Sequence, residues 1–292
     1  MSELHTFFAG IFPLDPLEVF GIKLHAFGFL VGAAIIVGTI IAGKRAKKFG
    51  LSENVISQLA LWAVIPGFIG AHFVHVLAYY PEEFIKRPLY LLEIWSGISS
   101  LGGFVGGALG VWYYFRRNKG LPFLPYADSL IYGFAFAWIL GRLACTVAFD
   151  HPGHLTEFFM GMDYPGNGGE VGPGIRHNLG FYEALWAVAM SAFFFLHRNK
   201  THFKGWFVAT FVIAYVPFRF FADFLREVDE RYGGLTPGQW ISLGLLGLCV
   251  YLAIVGTKRK DMLVPDGVPK LSCLPKAERE RLEGKTTGKK KA

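Results

Sequence analysis

The sequence predicts an all-α membrane protein of seven transmembrane helices, and three observations carry that fold class. Its 292 residues are 53% hydrophobic and 17% charged, with 29 Phe and 36 Gly, whereas a soluble domain carries about a quarter charged residues. Seven stretches are apolar over about the 20 residues that a helix needs to cross a bilayer. Basic clusters also recur on alternate connections, which sets an orientation.

The spans run roughly over 22–43, 55–79, 98–115, 126–148, 178–197, 204–226 and 237–257. KRAKK follows the first, RRNK the third, HRNK the fifth and KRK the seventh. The other connections hold Glu82 and Glu83, the long segment 149–177, and REVDER at 226–231. Because short basic connections stay in the cytoplasm, the N-terminus is expected outside and the C-terminus inside. The first twenty residues have no basic start and carry Glu3, Asp15 and Glu18, unlike a cleavable signal peptide.

From Lys258 to Ala292 there are eleven Lys/Arg and five Asp/Glu, a net of +6 out of the chain's +7. The basic balance therefore belongs to a tail, and 1–257 is expected as the membrane domain with 258–292 as a cytoplasmic tail touching anionic lipid heads. No nucleic-acid partner is expected. Cys145, Cys249 and Cys273 form no CxxC or Cys/His ligand spacing, so no disulfide framework, metal site or cofactor is expected.

Glycines on the third span, LGGFVGGALG (101–110), fit close helix packing, as small residues do in membranes; room for a lipid tail is the other reading. Segment 149–177 holds seven glycines and three prolines with Phe158, Phe159 and Tyr164 among them. A connection of that length predicts a small periplasmic cap.

Charges inside membrane spans need a partner or a wet cavity. Arg142 lies near the outer end of the fourth span and Glu183 in the first turns of the fifth. Tyr215, Arg219, Asp223 and Arg226 are spaced four, four and three on the sixth, which predicts one helix face. Asp223 can bridge both arginines, and Glu183 or Asp150 can pair with Arg142. Guanidinium forks suit phosphate, so the charges predict a site for an anionic phospholipid headgroup, with a salt-bridged structural core as the alternative.

At these residues the chain resembles bacterial prolipoprotein diacylglyceryl transferase, from about residue 15 to 257. The most specific stretch is YVPFRFFADFLREVDERYGGLTPGQWISL (215–243), similar to that family's sixth span and the start of its seventh. WSGISSLGGFVGG (95–107), GAHFVHVLAYYPE (70–82) and FYEALWA (181–187) resemble its third-, second- and fifth-span motifs, and Gly141-Arg142 opens its hallmark segment, which here ends in Gly153.

The resemblance implies transfer of a diacylglyceryl group from phosphatidylglycerol to the lipobox cysteine thiol of a prolipoprotein, with release of glycerol phosphate. It implies a multi-pass protein of the bacterial inner membrane. Arg142, Arg219, Arg226, Tyr215 and Gly153 are then expected around the lipid phosphate, ordered by Glu183 and Asp223. Several family positions differ: Leu101 replaces a histidine, Cys145 an asparagine, Phe27 a tyrosine and His72 an arginine, and RHNLGF (176–181) replaces a His-Pro motif.

Two accounts follow. In a divergent enzyme with a relocated base, His151 beside Asp150 is the expected proton acceptor, with His154 and His177 elsewhere in the segment. Cys145, one turn from Arg142, is a possible protein nucleophile or a small apolar filler. The alternative is a relative that binds a phospholipid or modifies a different acceptor. His72 and His75 are expected to serve packing or hydrogen bonding.

Overall fold

The computed structural model describes residues 17–19, 22–93, 97, 99–165, 171–227, 231–258, 262–263, 274–276 and 279–280. The expectations about residues 1–16, Trp95, Ser96, the Leu101 side chain and most of the basic tail lie outside the described residues.

Seven long helices fall on the predicted spans: α1 (Ala26–Lys48), α2 (Glu53–Val74), α3 (Ser100–Arg117), α4 (Phe123–Ala148), α5 (Leu179–His197), α6 (Trp206–Ala222) and α7 (Pro237–Lys258). Among the described residues, five segments are long and apolar enough to cross a membrane: Ala26–Lys48, Glu53–Leu77, Phe123–Ala148, Leu179–His197 and Trp206–Leu225. They expose large apolar side chains such as Phe29, Ile40, Ile65, Leu185 and Leu196, a surface suited to lipid rather than water. This is a mostly helical membrane protein.

The chain packs as two compact units, Met1–Ala42 with Ala127–Val264 and Gly43–Tyr126 with Pro265–Ala292. The second is built on the α2–α3 pair. Gly67 and Gly70 of α2 meet Gly102, Gly103, Gly106 and Gly107 of α3 so closely that a Cβ at Gly106 would overlap the Pro66 carbonyl. Backbone rests on backbone, which favours the packing reading of the glycine run. At the C-terminal end of α2, the fully buried His72 ring lies between the carbonyl oxygens of Gly97 (3.0 Å) and Tyr90 (3.2 Å). Gly97 has φ +149° and abuts the His75 ring, where any Cβ would collide. Both histidines therefore pack or hydrogen-bond, as expected.

The core of the first unit is Tyr132 and Ala135 of α4, Met190 and Phe194 of α5, and Phe207 and Phe211 of α6. Buried Asp128 near the start of α4 accepts from the backbone N–H groups of Gly205 (2.6 Å), Phe207 (2.9 Å) and Val208 (3.2 Å). A carboxylate from another helix thus satisfies the orphan donors at the α6 N-terminus. Asp128 is a further buried charge within a span, which the sequence expectation passed over.

After α4 the chain turns through Phe149, whose φ of +55° is left-handed, into a three-stranded antiparallel sheet. Strands β3 (Pro152–Leu155), β4 (Met162–Tyr164) and β5 (Gly174–Asn178) are ordered β3-β5-β4. This sheet is what the long segment 149–177 forms. β5 runs into α5, with Asn178 Oδ1 accepting from Phe181 N at 3.0 Å as N-cap. Two two-stranded ladders complete this unit: β1 (Leu17–Val19) with β2 (Ile22–Leu24), and β6 (His202–Phe203) with β7 (Met262–Leu263). The tail is thus not wholly solvated, since Met262–Leu263 is strand-paired and, in the second unit, Leu274 is buried.

Candidate functional site

Helix α4 brings Arg142, Cys145 and Thr146 to its last turns. The buried Arg142 guanidinium lies over the Trp138 ring at 4.2 Å, a cation–π contact. Its Nε pairs with Glu183 Oε2 at 3.0 Å. The other oxygen, Glu183 Oε1, accepts from Arg219 Nη1 at 2.5 Å, and the Tyr215 hydroxyl donates to Oε2 at 3.1 Å. One carboxylate, 0% exposed, therefore holds three partners from two other helices. Removing an ion from water costs several kcal/mol, which is repaid only by such complete coordination.

Asp223, also 0% exposed, gathers the second half of the site. Its Oδ1 is 3.0 Å from Arg219 Nη2 and 3.1 Å from Arg226 Nε, and its Oδ2 accepts from Thr236 Oγ1 at 2.9 Å. The predicted continuous helix face is corrected at this point. Helix α6 ends at Ala222, Asp223–Leu225 is a 3-10 turn, and Arg226 is extended. Arg226 is bridged to Gly153 of β3, and from there its guanidinium still reaches Asp223.

The start of α7 closes this corner. Thr236-Pro237-Gly238-Gln239 is a reciprocal cap: Gln239 N donates to Thr236 Oγ1 at 3.1 Å and Thr236 N donates to Gln239 Oε1 at 2.9 Å. That is the Thr-x-x-Gln capping box with Pro at the first helical position. Gln239 Nε2 also donates to the Phe220 carbonyl at 3.1 Å, tying α7 to the end of α6. A Cβ at Gly238 would collide with Asp223 Oδ2, so glycine admits the carboxylate there. Neither Thr236 nor Gln239 was among the predicted site residues, although the capping pattern is legible in the sequence.

Three guanidinium groups (Arg142, Arg219, Arg226) thus converge on two buried carboxylates (Glu183, Asp223). Gly153 has a packing reason to be glycine, because a Cβ would meet the His177 side chain and the Leu225 carbonyl. Buried Arg176 donates to the Gly153 carbonyl at 3.3 Å and pairs with Glu227 at 3.5 Å; the sequence expectation passed over it.

Beside Arg142 lies a second group of side chains. Cys145 Sγ is 4.0 Å from Arg142 Nη1. The left-handed turn at Phe149 folds Asp150 and His151 back toward it, with His151 Nδ1 2.5 Å from Asp150 Oδ1. The thiol, a carboxylate oxygen and a ring nitrogen of these three residues all lie within 4.8 Å of one another. His154 is separate, paired with Glu227 at 2.5 Å, and His177 contacts the Tyr182 hydroxyl at 2.7 Å. In the sheet, burial and then neighbouring His154 hold the His177 ring below its ordinary pKa. Burial, with Asp150 nearby, pushes the Tyr164 phenol above its usual range.

Fold and site define the class: a polytopic helical membrane protein with a buried network of three guanidinium groups on two carboxylates. The family model for prolipoprotein diacylglyceryl transferase matches residues 16–255, and the chain belongs to that family. It is 29% identical over 277 residues to the phosphatidylglycerol–prolipoprotein diacylglyceryl transferase of Pseudoalteromonas atlantica, covering 91% of this chain and 95% of that protein. It is 28% identical over 238 residues to the second such transferase of Clostridium perfringens, covering 80% and 92%. It is also 28% identical over 252 residues to that of Clostridioides difficile, covering 83% and 95%.

Proposed function

We propose that this protein is a phosphatidylglycerol–prolipoprotein diacylglyceryl transferase of the bacterial cytoplasmic membrane. All seven helices cross the bilayer in this reading, with the N-terminus and the β3–β5 sheet outside and the basic tail inside. The observation that carries it is the convergence of three guanidinium groups on Glu183 and Asp223. Paired guanidinium forks of this kind suit the oxygens of a phosphodiester. Arg142 and Arg219 clamp the phosphate, Glu183 and Asp223 hold their forks in register, and Tyr215 and Arg226 complete the polar face. The acceptor thiol attacks the glyceryl carbon, a thioether forms, and the carbon–oxygen bond to phosphate breaks to release glycerol phosphate. His151 and Asp150 stand beside Cys145, where that thiol has to become a thiolate.

The test has two parts. The chain should restore lipoprotein lipidation in cells depleted of their own transferase. Replacing Arg142 or Arg219 by Ala should lower phosphatidylglycerol binding by well over tenfold, since one charge-assisted hydrogen bond is worth about 1.5–3 kcal/mol. Lysine should rescue only in part, because it lacks the paired fork. Unchanged binding in both Ala variants would leave only a salt-bridged core. A second reading, a lipid-binding relative without transfer, is favoured by one observation: Leu101 stands where the family has a histidine. Lipid binding without transfer to any lipobox peptide would select it.

A further inference from the structure

We infer that Cys145, Asp150 and His151 form a binding site for one divalent cation of the zinc class, with an open coordination position that receives the acceptor thiol. This rests on the thiol-transfer reading above and supplies its missing step, how the thiol becomes a thiolate. A thiol, an imidazole and a carboxylate converge within 4.8 Å, and they are the three side-chain types that bind zinc. The residues are brought together by the last turn of α4 and the left-handed Phe149, not by a spacing that sequence would flag. Tetrahedral bonds of about 2.0–2.3 Å put neighbouring ligand atoms roughly 3.3–3.7 Å apart. The widest pair, within 4.8 Å, therefore closes by about 1 Å, and the Asp150–His151 pair at 2.5 Å opens by about 1 Å as the ion enters. The ion takes the place of the proton that Asp150 and His151 share across 2.5 Å.

Ligand chemistry sets the class of ion. A thiolate with an imidazole selects zinc or a similar soft divalent metal over calcium or magnesium, which prefer all-oxygen shells. Thiolate and carboxylate supply two negative charges against the ion's two positive ones. The cation nearest the site, Arg142, has its own counter-charge in Glu183. Three protein ligands also leave a tetrahedral metal one position, as in catalytic rather than structural zinc sites. A thiol bound there is deprotonated outright. Its proton goes to solvent, its sulfur lone pair forms the carbon–sulfur bond, and the electron pair of the broken carbon–oxygen bond leaves with glycerol phosphate. That phosphate monoester takes up the equivalent proton, so no oxidant or reductant is needed. With Arg142 Nη1 4.0 Å from Cys145 Sγ, the phosphate clamp and the thiol are neighbours, which in-line attack requires.

The experiment uses the full chain in detergent, stripped with chelator and titrated with Co²⁺, whose thiolate charge-transfer band reports sulfur ligation. We expect a saturable band with one Co²⁺ per chain, absent in Cys145→Ser and displaced by Zn²⁺. Asp150→Asn and His151→Ala should each weaken Co²⁺ binding by more than about tenfold, beyond a typical loss of an outer partner. Retained phosphatidylglycerol binding shows that the variants are folded. A lipobox peptide should raise the band as a second thiolate joins, and the same peptide with Ser for Cys should not. No band in the wild type, or an equal band in Cys145→Ser, overturns the site. A band that the cysteine peptide leaves unchanged, with full transfer by stripped protein, overturns the thiol role. If the site binds Co²⁺ but neither stripped nor loaded protein transfers diacylglyceryl, the transferase reading fails while the cation site stands.

Discussion

The α2–α3 pair and the arginine network solve opposite problems in the same apolar solvent. At α2–α3 the side chains are deleted: Gly70 and Gly106 bring two backbones into contact. In the network, five ionisable side chains are inserted and then paired almost completely. The first arrangement presents backbone alone. The second gathers guanidinium forks at one place, and charged side chains within membrane helices mark functional sites. Packing by subtraction builds scaffold, whereas gathered charge builds a site.

The largest expected effect comes from breaking the charge pairing. Glu183→Ala strands Arg142 and Arg219 in a buried place without their shared counter-ion, which should cost about 3–5 kcal/mol. Thermal unfolding in detergent reads this directly, and Glu183→Gln, which keeps an acceptor, should lose less. Stability equal to wild type in the Ala variant would mean that the ion pairs hold nothing.

A smaller loss is expected where the scaffold is overfilled. Gly106→Val forces α2 and α3 apart at Pro66 and Gly70, for about 1–3 kcal/mol by the usual measure of overpacking. Phosphatidylglycerol affinity per folded molecule should stay the same, and a selective loss of affinity would erase the contrast between the two regions. The smallest effect sharpens the contrast within the site. Thr236→Val removes both the α7 cap and the bond to Asp223, about 1 kcal/mol on the scale of other caps. Thr236→Ser should restore it, and failure of Ser to do so would show that the methyl, not the hydroxyl, matters.

Much of this was legible in the residues. The seven long helices, the pairing of Arg142 with Glu183 and the bridging role of Asp223 follow from apolar length and from charges that need partners. Two features were misjudged. Arg226 was assigned to the α6 face because its spacing fits, but the helix ends at Ala222 and a bridge to Gly153 carries it. Asp128 was missed because a lone acid near a span's inner end gives no sign of its partners, which are backbone N–H groups 77–80 residues away.

By itself the sequence determined the membrane class, the order of the helices and which charges had to be neutralised. These are properties of composition and local spacing, and the bilayer enforces them on each segment separately. Only the tertiary structure decided that one carboxylate would serve two arginines from different helices, that a Thr-x-x-Gln cap would hold Asp223, and that Cys145 would meet Asp150 and His151. The reason is physical. Such contacts depend on where helices end and how the chain turns, as at Ala222 and at the left-handed Phe149, and a one-residue shift in either would point the same side chains elsewhere.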